Sequence, residues 1–198
     1  MTPVGKSKEI MMSHIRTVAL ALVFAAAAAR PAWADGFLSP FIGFNFGGDS
    51  GANCASFSNC EDKRLNWGVA LGATSGILGF EEEIAYAKNF FGETAGADNS
   101  VLTLMSNILV VVPAGPVQPY GLLGIGLIRP HFSTSNLSLD QNTLGYDIGG
   151  GVNLFFTHGV GLRGDVRHLH TLQDVTLGVF NNERIDFWRG SLGLTFRF

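Results

Sequence analysis

The chain has 198 residues, of which 46% are hydrophobic and only 15% are charged, and its formal net charge is −3. The first 34 residues hold four of the 13 basic residues and one of the 16 acidic ones, so the remainder carries a charge of −6. A negative chain is poorly suited to nucleic acid, and we predict no nucleic-acid partner.

The N-terminal segment has the pattern of an export signal. A basic stretch that ends at Arg16 precedes an apolar run over residues 17–29, which is too short to cross a bilayer as a helix. The small residues of Ala32-Trp33-Ala34 then suit a signal peptidase that cuts after Ala34. We therefore predict a signal peptide over residues 1–34 and one domain over residues 35–198.

Beyond residue 34, segments of about ten residues alternate apolar with small or polar side chains. Gly, Asn, Asp, Ser and Pro separate these segments, and none contains an apolar run long enough for a membrane helix. A period of two predicts strands with one apolar face. The predicted strands cover residues 37–47, 65–74, 77–88, 101–112, 119–129, 143–156, 160–170 and 185–198.

The connections between these strands alternate in length. Those at 75–76, 113–118 and 157–159 are short, whereas the other four are long, as in a transmembrane barrel with tight periplasmic turns and longer external loops. A soluble eight-stranded barrel of the lipocalin type is the competing fold, with an apolar interior and charges outside. Here the charges share a face with the glycines, so we predict an all-β fold, an eight-stranded antiparallel transmembrane β-barrel.

The first long connection, 48–64, contains the only two cysteines, Cys54 and Cys60. In an oxidising compartment, a pair within a Gly-, Ser- and Asn-rich stretch predicts a loop disulfide, and two free thiols are the alternative. A metal site would need more ligands, so we predict no metal and no cofactor.

Four stretches carry a resemblance to a known family. The C-terminal octapeptide resembles the signal by which assembly machinery recognises outer-membrane barrels, through Ser191, Gly193, Phe196 and Phe198. The stretches SPFIGFNFGG, PYGLLGIGLIRP and YDIGGGVNLFFTHGVGLRGDVRHL resemble the outer-membrane β-barrel domain family, the opacity-like and outer-membrane protein A-like small barrels. The resemblance implies a location in the bacterial outer membrane. It also implies contact with outer-membrane lipid, lipopolysaccharide and the barrel-assembly machinery, but it implies little about activity.

Strict alternation predicts a polar network inside the barrel. Its charged members are Glu81, Glu83, Asp147, Arg163, Asp165, Arg167 and Arg189, and its amides are Asn45, Asn66, Asn107 and Asn153. An eight-stranded lumen is just wide enough for its own side chains, so we predict that the network plugs the barrel. The alternative is a gated narrow pore in which the ion pairs switch partners.

Glu82 fits the pattern worst, because alternation places it on the lipid-facing side together with Phe80 and Ile84. A charge there is unfavourable. Three explanations are open, which we rank in this order: a β-bulge that turns Glu82 inward, a hairpin that lifts it to the membrane interface, or burial against another protomer.

His168 and His170 fall on the outer face near the external end of a strand, a position that invites comparison with lipid A deacylases. Those enzymes place a Ser two residues after a His, but Leu172 stands there after His170, and the sequence reveals no orienting carboxylate. We therefore predict that the protein is not an enzyme and acts structurally or through surface interactions of its external loops. A narrow low-conductance channel is the first alternative and a lipid-modifying enzyme the second, and the extracellular ligand is not identified.

Overall fold

The computed structural model describes the barrel strands and most of their connections. The described residues are 35–50, 63–91, 97–134, 137–173, 175–177 and 180–198. The predicted signal peptide and both cysteines lie outside these ranges, so the cleavage site and the disulfide stay predictions. Among the described residues, no helix is long and apolar enough to cross a membrane.

The described chain is almost entirely β-structure. The strands are β1 Asp35–Phe46, β2 Arg64–Ser75, β3 Leu78–Lys88, β4 Ala97–Val111, β5 Val117–Thr134, β6 Leu137–Asp140, β7 Thr143–Phe155, β8 Val160–Thr171, β9 Val175–Leu177, β10 Phe180–Glu183 and β11 Asp186–Arg197. All pairings between them are antiparallel.

Eight of these strands close into a barrel in which each pairs with its sequence neighbour. The ring runs β1, β2, β3, β4, β5, β7, β8 and β11, and β11 returns to β1. The predicted eight-stranded antiparallel barrel is therefore confirmed. Three short turns, together with Asp35 and Phe198, lie at one end, which we call the turn end. The opposite end, with the long connections, is the loop end.

Two predicted loops contain strands that the sequence analysis missed. β5 continues beyond Arg129 to Thr134 and forms a hairpin with β6, and β9 pairs with β10 within the last long connection. Residues 130–142 and 171–184 are long connections as predicted, but they also contain these paired strands. β6, β9 and β10 are only four, three and four residues long, and so short a segment gives little periodic signal.

The outer surface of the barrel is apolar. Its outward positions expose large hydrophobic side chains, including Ile42 (63%), Ile108 (62%) and Ile125 (67%). Polar and charged side chains instead fill the inner positions, where Glu81 and Asp147 are fully buried. A lipocalin-type barrel has the opposite distribution, with apolar side chains inside and charges outside, so that fold is excluded.

The lumen has three layers. Near the loop end, an apolar cluster is built around Phe90, Phe91, Ile185 and Phe187. Near the turn end, a second apolar cluster consists of Phe37, Leu109, Val111, Tyr120 and Leu122. The charged side chains lie between the two clusters, so the barrel is filled along its length.

Glycines on the inner face make room for the aromatic rings in this narrow space. A Cβ atom at Gly68 would overlap the Phe41 ring, and one at Gly72 would overlap the Phe37 ring. Close packing of rings against bare backbone explains why glycine shares a face with the charged residues.

Candidate functional site

The central layer of the lumen, which we call the charged layer, holds all seven charged residues of the predicted network. Each has at most 6% of its surface exposed. The members are Glu81, Glu83, Asp147, Arg163, Asp165, Arg167 and Arg189. They come from four strands, β3, β7, β8 and β11, and only the closure of the barrel brings these strands around one space.

Arg167 lies at the centre of the charged layer. Its Nη2 atom is 3.0 Å from Glu81 Oε1 and 3.1 Å from Asp165 Oδ2. Its Nη1 atom is 2.9 Å from Glu83 Oε2 and 3.5 Å from Asp147 Oδ2. One guanidinium group therefore pairs with four carboxylates. The arrangement depends on its planar shape and its several N–H donors.

Arg163 connects the charged layer to the turn end. Its Nη1 atom pairs with Glu81 Oε2, and its Nε atom donates to Tyr120 Oη at 2.7 Å. Tyr120 Oη in turn donates to Asp165 Oδ2 at 2.8 Å, and its ring lies under the guanidinium at 4.8 Å. The sequence analysis missed Tyr120 as a member, although alternation places it on the inner face with Leu122.

Arg189 connects the charged layer to the loop end. Its Nη2 atom pairs with Glu83, its Nη1 atom donates to Thr103 Oγ1 at 3.3 Å, and its guanidinium lies 5.5 Å from the centre of the Phe41 ring. Thr103 was also missed by sequence reasoning. Its hydroxyl carries no charge and gives no distinctive signal in a strand.

The predicted amides do not all join the charged layer. Asn107 donates to Glu81 Oε1 at 3.1 Å, whereas Asn66 and Asn45 bond to each other at 2.9 Å. Asn153 is only half-buried. The structure thus places one of the four amides directly on a network carboxylate.

Asp147 is the least satisfied acid. Among the described residues, neither of its carboxylate oxygens has a hydrogen-bond partner, and its nearest cation is Arg167 at 3.5 Å. The charged layer holds four acids and three arginines, so one negative charge is in excess. Asp147, which has the weakest hydrogen bonding, is where that excess is concentrated.

Glu82 faces outward from a regular strand. β3 pairs with β2 and with β4 without any shift of register, so the bulge ranked first by the sequence analysis is wrong. Ser106 lies directly across on β4, and its hydroxyl donates to the two carboxylate oxygens of Glu82, at 2.7 and 2.9 Å. A cross-strand hydrogen bond, which the sequence analysis did not consider, relieves part of the cost of this charge.

Comparison with known proteins decides the family. The Outer membrane protein beta-barrel domain family matches residues 17–198. The chain belongs to this family. The protein is accordingly a barrel of the bacterial outer membrane, with its turn end towards the periplasm and its loop end outside.

Solved structures show the same fold at low sequence identity. Neisserial surface protein A is 16% identical, with a TM-score of 0.60, and the match covers 83% of this chain and 97% of that chain. Ail, the attachment invasion locus protein of Yersinia pestis, is 15% identical, with a TM-score of 0.55 and coverage of 84% and 99%. OprG from Pseudomonas aeruginosa is 14% identical, with a TM-score of 0.54 and coverage of 84% and 96%. No curated protein sequence matches the chain.

The external end of this outer-membrane barrel carries a histidine cluster on its lipid-facing side. His168 Nε2 and His170 Nδ1 lie 2.8 and 3.1 Å from the same oxygen, Asp186 Oδ2. The rings of Trp188 and Tyr146 flank the two imidazoles, with centroids 4.8 and 5.4 Å away. Asp186 is thus an orienting carboxylate that the sequence analysis failed to find, because the pairing of β8 with β11 brings it there.

Among the described residues, the neighbourhood of the histidine cluster offers no nucleophile of the hydrolase kind. The nearest hydroxyl in sequence, Thr171, points into the barrel and accepts a hydrogen bond from Ile185 N at 2.8 Å. Within the described ranges, no group of three or more His, Cys, Asp or Glu side chains could hold a metal ion. The aromatic neighbours match the belt that anchors membrane proteins at the interface.

The residues of the predicted assembly signal lie on β11 and just beyond it. Ser191 points inward and donates to Asp165 Oδ1 at 2.8 Å, and Gly193 lies against Phe41 on the inner face. Phe196 and Phe198 point outward. The backbone of Phe198 exchanges two hydrogen bonds of 2.9 Å with Gly36, so β1 holds the last residue in place.

Proposed function

We propose that this outer-membrane protein is a closed barrel that acts through its external face, in a structural or surface-interaction role, and is neither a channel nor an enzyme. The observation that carries the proposal is the filled lumen. A barrel that transmits nothing through its interior can act only on what its two ends and its outer surface contact.

Three successive obstacles oppose conduction. A solute entering from outside meets Phe90, Phe91 and Phe187, each of which is at most 2% exposed. It then meets the charged layer, where passage would separate Arg167 from the four acids that surround it, and finally the apolar cluster at the turn end. Leaving a buried charge without its partner costs about 3–5 kcal/mol, which makes an open state rare.

The external hairpins supply the surface for interactions. β5 is 18 residues long, and its last residues pair with β6 beyond the barrel wall. The β9–β10 hairpin adds a second ordered projection. Paired strands outside the membrane offer a surface on which binding residues can be presented.

The structural neighbours are consistent with such a role. Ail of Yersinia pestis is described as an attachment invasion locus protein, and one of its structures is a complex with the heparin analogue sucrose octasulfate. Its 13% identity to this chain transfers the fold and not the ligand. We infer contact with lipopolysaccharide and with an extracellular partner, and delivery by the barrel-assembly machinery through the C-terminal residues.

The second candidate is a narrow, low-conductance channel. The two unbonded oxygens of Asp147 favour it, because a water molecule in the charged layer would supply the hydrogen bonds that they lack. Such a channel would require the apolar cluster at the loop end to open.

Planar-bilayer recording separates the two candidates. We expect no discrete current steps from the purified protein, and a variant with Phe90 and Phe91 both changed to Ala tests whether removal of the outer apolar obstacle alone produces leak. Leu192→Ala on the lipid-facing side is the matched control. Reproducible single-channel steps from the unmodified protein would overturn the proposal in favour of the channel.

The interaction role is tested on cells. Replacing residues 131–141 by a short Gly-Ser turn removes the β5–β6 hairpin but leaves the barrel pairings of β5 with β4 and β7 over residues 117–128. We expect unchanged outer-membrane levels and reduced binding of cells to immobilised heparin or to purified lipopolysaccharide. Equal binding with and without the β5–β6 hairpin would contradict a role for this surface.

A further inference from the structure

The lipid-facing surface of the barrel contains one polar pair away from its ends. Glu82 and Ser106 are both half-buried, face outward, and are hydrogen-bonded across β3 and β4. Every other outward position in the middle of the described barrel strands is apolar or glycine. The remaining outward polar residues lie near the ends of the strands, such as Ser75 at the turn end and Lys88, Arg129 and His168 near the loop end.

The pair lies deep in the apolar band. Trp67 and Tyr86, whose ring centroids are 5.9 Å apart, mark the outer aromatic belt on this side. Glu82 is four residues from Tyr86 towards the periplasm. At about 3.4 Å per residue in a strand tilted by about 40°, the carboxyl lies roughly 10 Å below the belt, near the middle of a band about 25 Å tall.

A ring of exposed apolar side chains surrounds the polar pair. Leu71 on β2 lies directly across from Glu82, and Ile125 on β5 lies directly across from Ser106. Leu71, Ile84, Ile108 and Ile125 are all exposed. A second protein surface packed on this apolar ring would shield the polar pair from lipid.

Hydrocarbon cannot satisfy the polar centre. A carboxyl group offers about four acceptor positions, and Ser106 supplies only one hydroxyl hydrogen. Acyl chains provide no donor, and an ionisable side chain inside a membrane marks a functional site by default. The missing partner must therefore bring its own donors and acceptors to this depth.

We propose that a second copy of this chain covers the surface, forming a dimer about a two-fold axis along the membrane normal. Such an axis brings equal depths together, so Glu82 and Ser106 of one protomer meet the same residues of its partner. The pair is self-complementary, because each copy carries a hydroxyl donor and a carboxyl group that in its neutral form both donates and accepts. The rims of Leu71, Ile84, Ile108 and Ile125 then pack against each other around the polar centre.

Site-directed crosslinking in liposomes tests the dimer. The background carries Cys54→Ser and Cys60→Ser, so that a single introduced cysteine is the only thiol in the chain. Ile84→Cys places the thiol on the proposed interface, two residues from Glu82. Val166→Cys on β8, on the far side of the barrel, is the matched control. We expect the Ile84→Cys protein to give at least a tenfold higher yield of crosslinked dimer than the Val166→Cys protein.

Substitution of the polar pair shows whether it causes the association. Combining Glu82→Leu with Ser106→Ala in the Ile84→Cys protein should lower the dimer yield to that of the Val166→Cys control. Glu82→Gln should retain the dimer, because an amide also both donates and accepts. The heat-dependent gel migration of each variant reports whether the barrel has folded.

Two results would overturn the proposal. One is an Ile84→Cys yield no greater than that of Val166→Cys, which would show that this face meets only lipid. The other is an unchanged yield after Glu82→Leu with Ser106→Ala in folded protein, which would show that the polar pair does not drive association. Neither result bears on the role of the external hairpins, so this inference and the proposed function fail separately.

Discussion

Replacing Arg167 by Met removes the central cation of the charged layer while keeping most of the side-chain volume. The guanidinium contacts Glu81, Glu83, Asp147 and Asp165 within 3.5 Å and is 1% exposed. Without it, four acids face only two arginines in a space closed to solvent. We expect the barrel to assemble but to be much less stable.

The size of the effect follows from the burial of the pair. Removing one partner of a buried ion pair costs about 3–5 kcal/mol, because the remaining charge loses its compensation. With a urea dependence of about 2 kcal/mol per molar, a loss of about 4 kcal/mol lowers the unfolding midpoint by about 2 M. Adding Asp147→Asn should recover part of this loss, because Arg167 is the cation nearest to that acid.

Urea titration of the folded barrel in detergent, followed by its heat-dependent gel migration, measures the midpoint. Arg197→Met is the matched control, since Arg197 lies outside the charged layer, where it donates to Gln118 at 2.8 Å and stacks 3.9 Å over the Phe155 ring. We expect about 1 kcal/mol from the control. If the midpoint for Arg167→Met falls no further than that for Arg197→Met, the charged layer does not stabilise the barrel.

Three further predictions test other layers of the structure. Tyr120→Phe removes a hydroxyl bonded to Asp165 and should cost about 1–3 kcal/mol in the same titration; an unchanged midpoint would contradict this. Gly124→Ala should lower the urea midpoint, because a Cβ there would displace Asn107 and Asp147 and lie 2.8 Å from the Ser106 backbone oxygen, whereas Gly164→Ala has room and should leave the midpoint unchanged. Deleting Phe198 should reduce the level of protein in isolated outer membranes, and equal levels would argue against a C-terminal assembly signal.

Alternation alone determined which side of the wall each strand residue occupies. Successive side chains in a strand point to opposite faces. The apolar face lies against lipid, so the opposite face must line the lumen. Glu81, Arg163 and Arg189 therefore follow from local sequence as inward residues. The same rule places Glu82 outside, and the structure keeps it there.

The tertiary structure decided which of these residues meet. Arg163 and Glu81 are 82 positions apart and pair only because the barrel closes. Ser106 reaches Glu82 only in the observed register, since a shift of two residues would put Leu104 or Ile108 there instead.

The loop end shows most clearly what the sequence alone did not determine. β6, β9 and β10 have only three or four residues each, too few to give a clear periodic signal. Asp186 joins His168 and His170 through the pairing of β11 with β8. Sequence determined the face of each side chain because alternation is a local property of the backbone. The partners depend on register and closure, which are properties of the whole barrel.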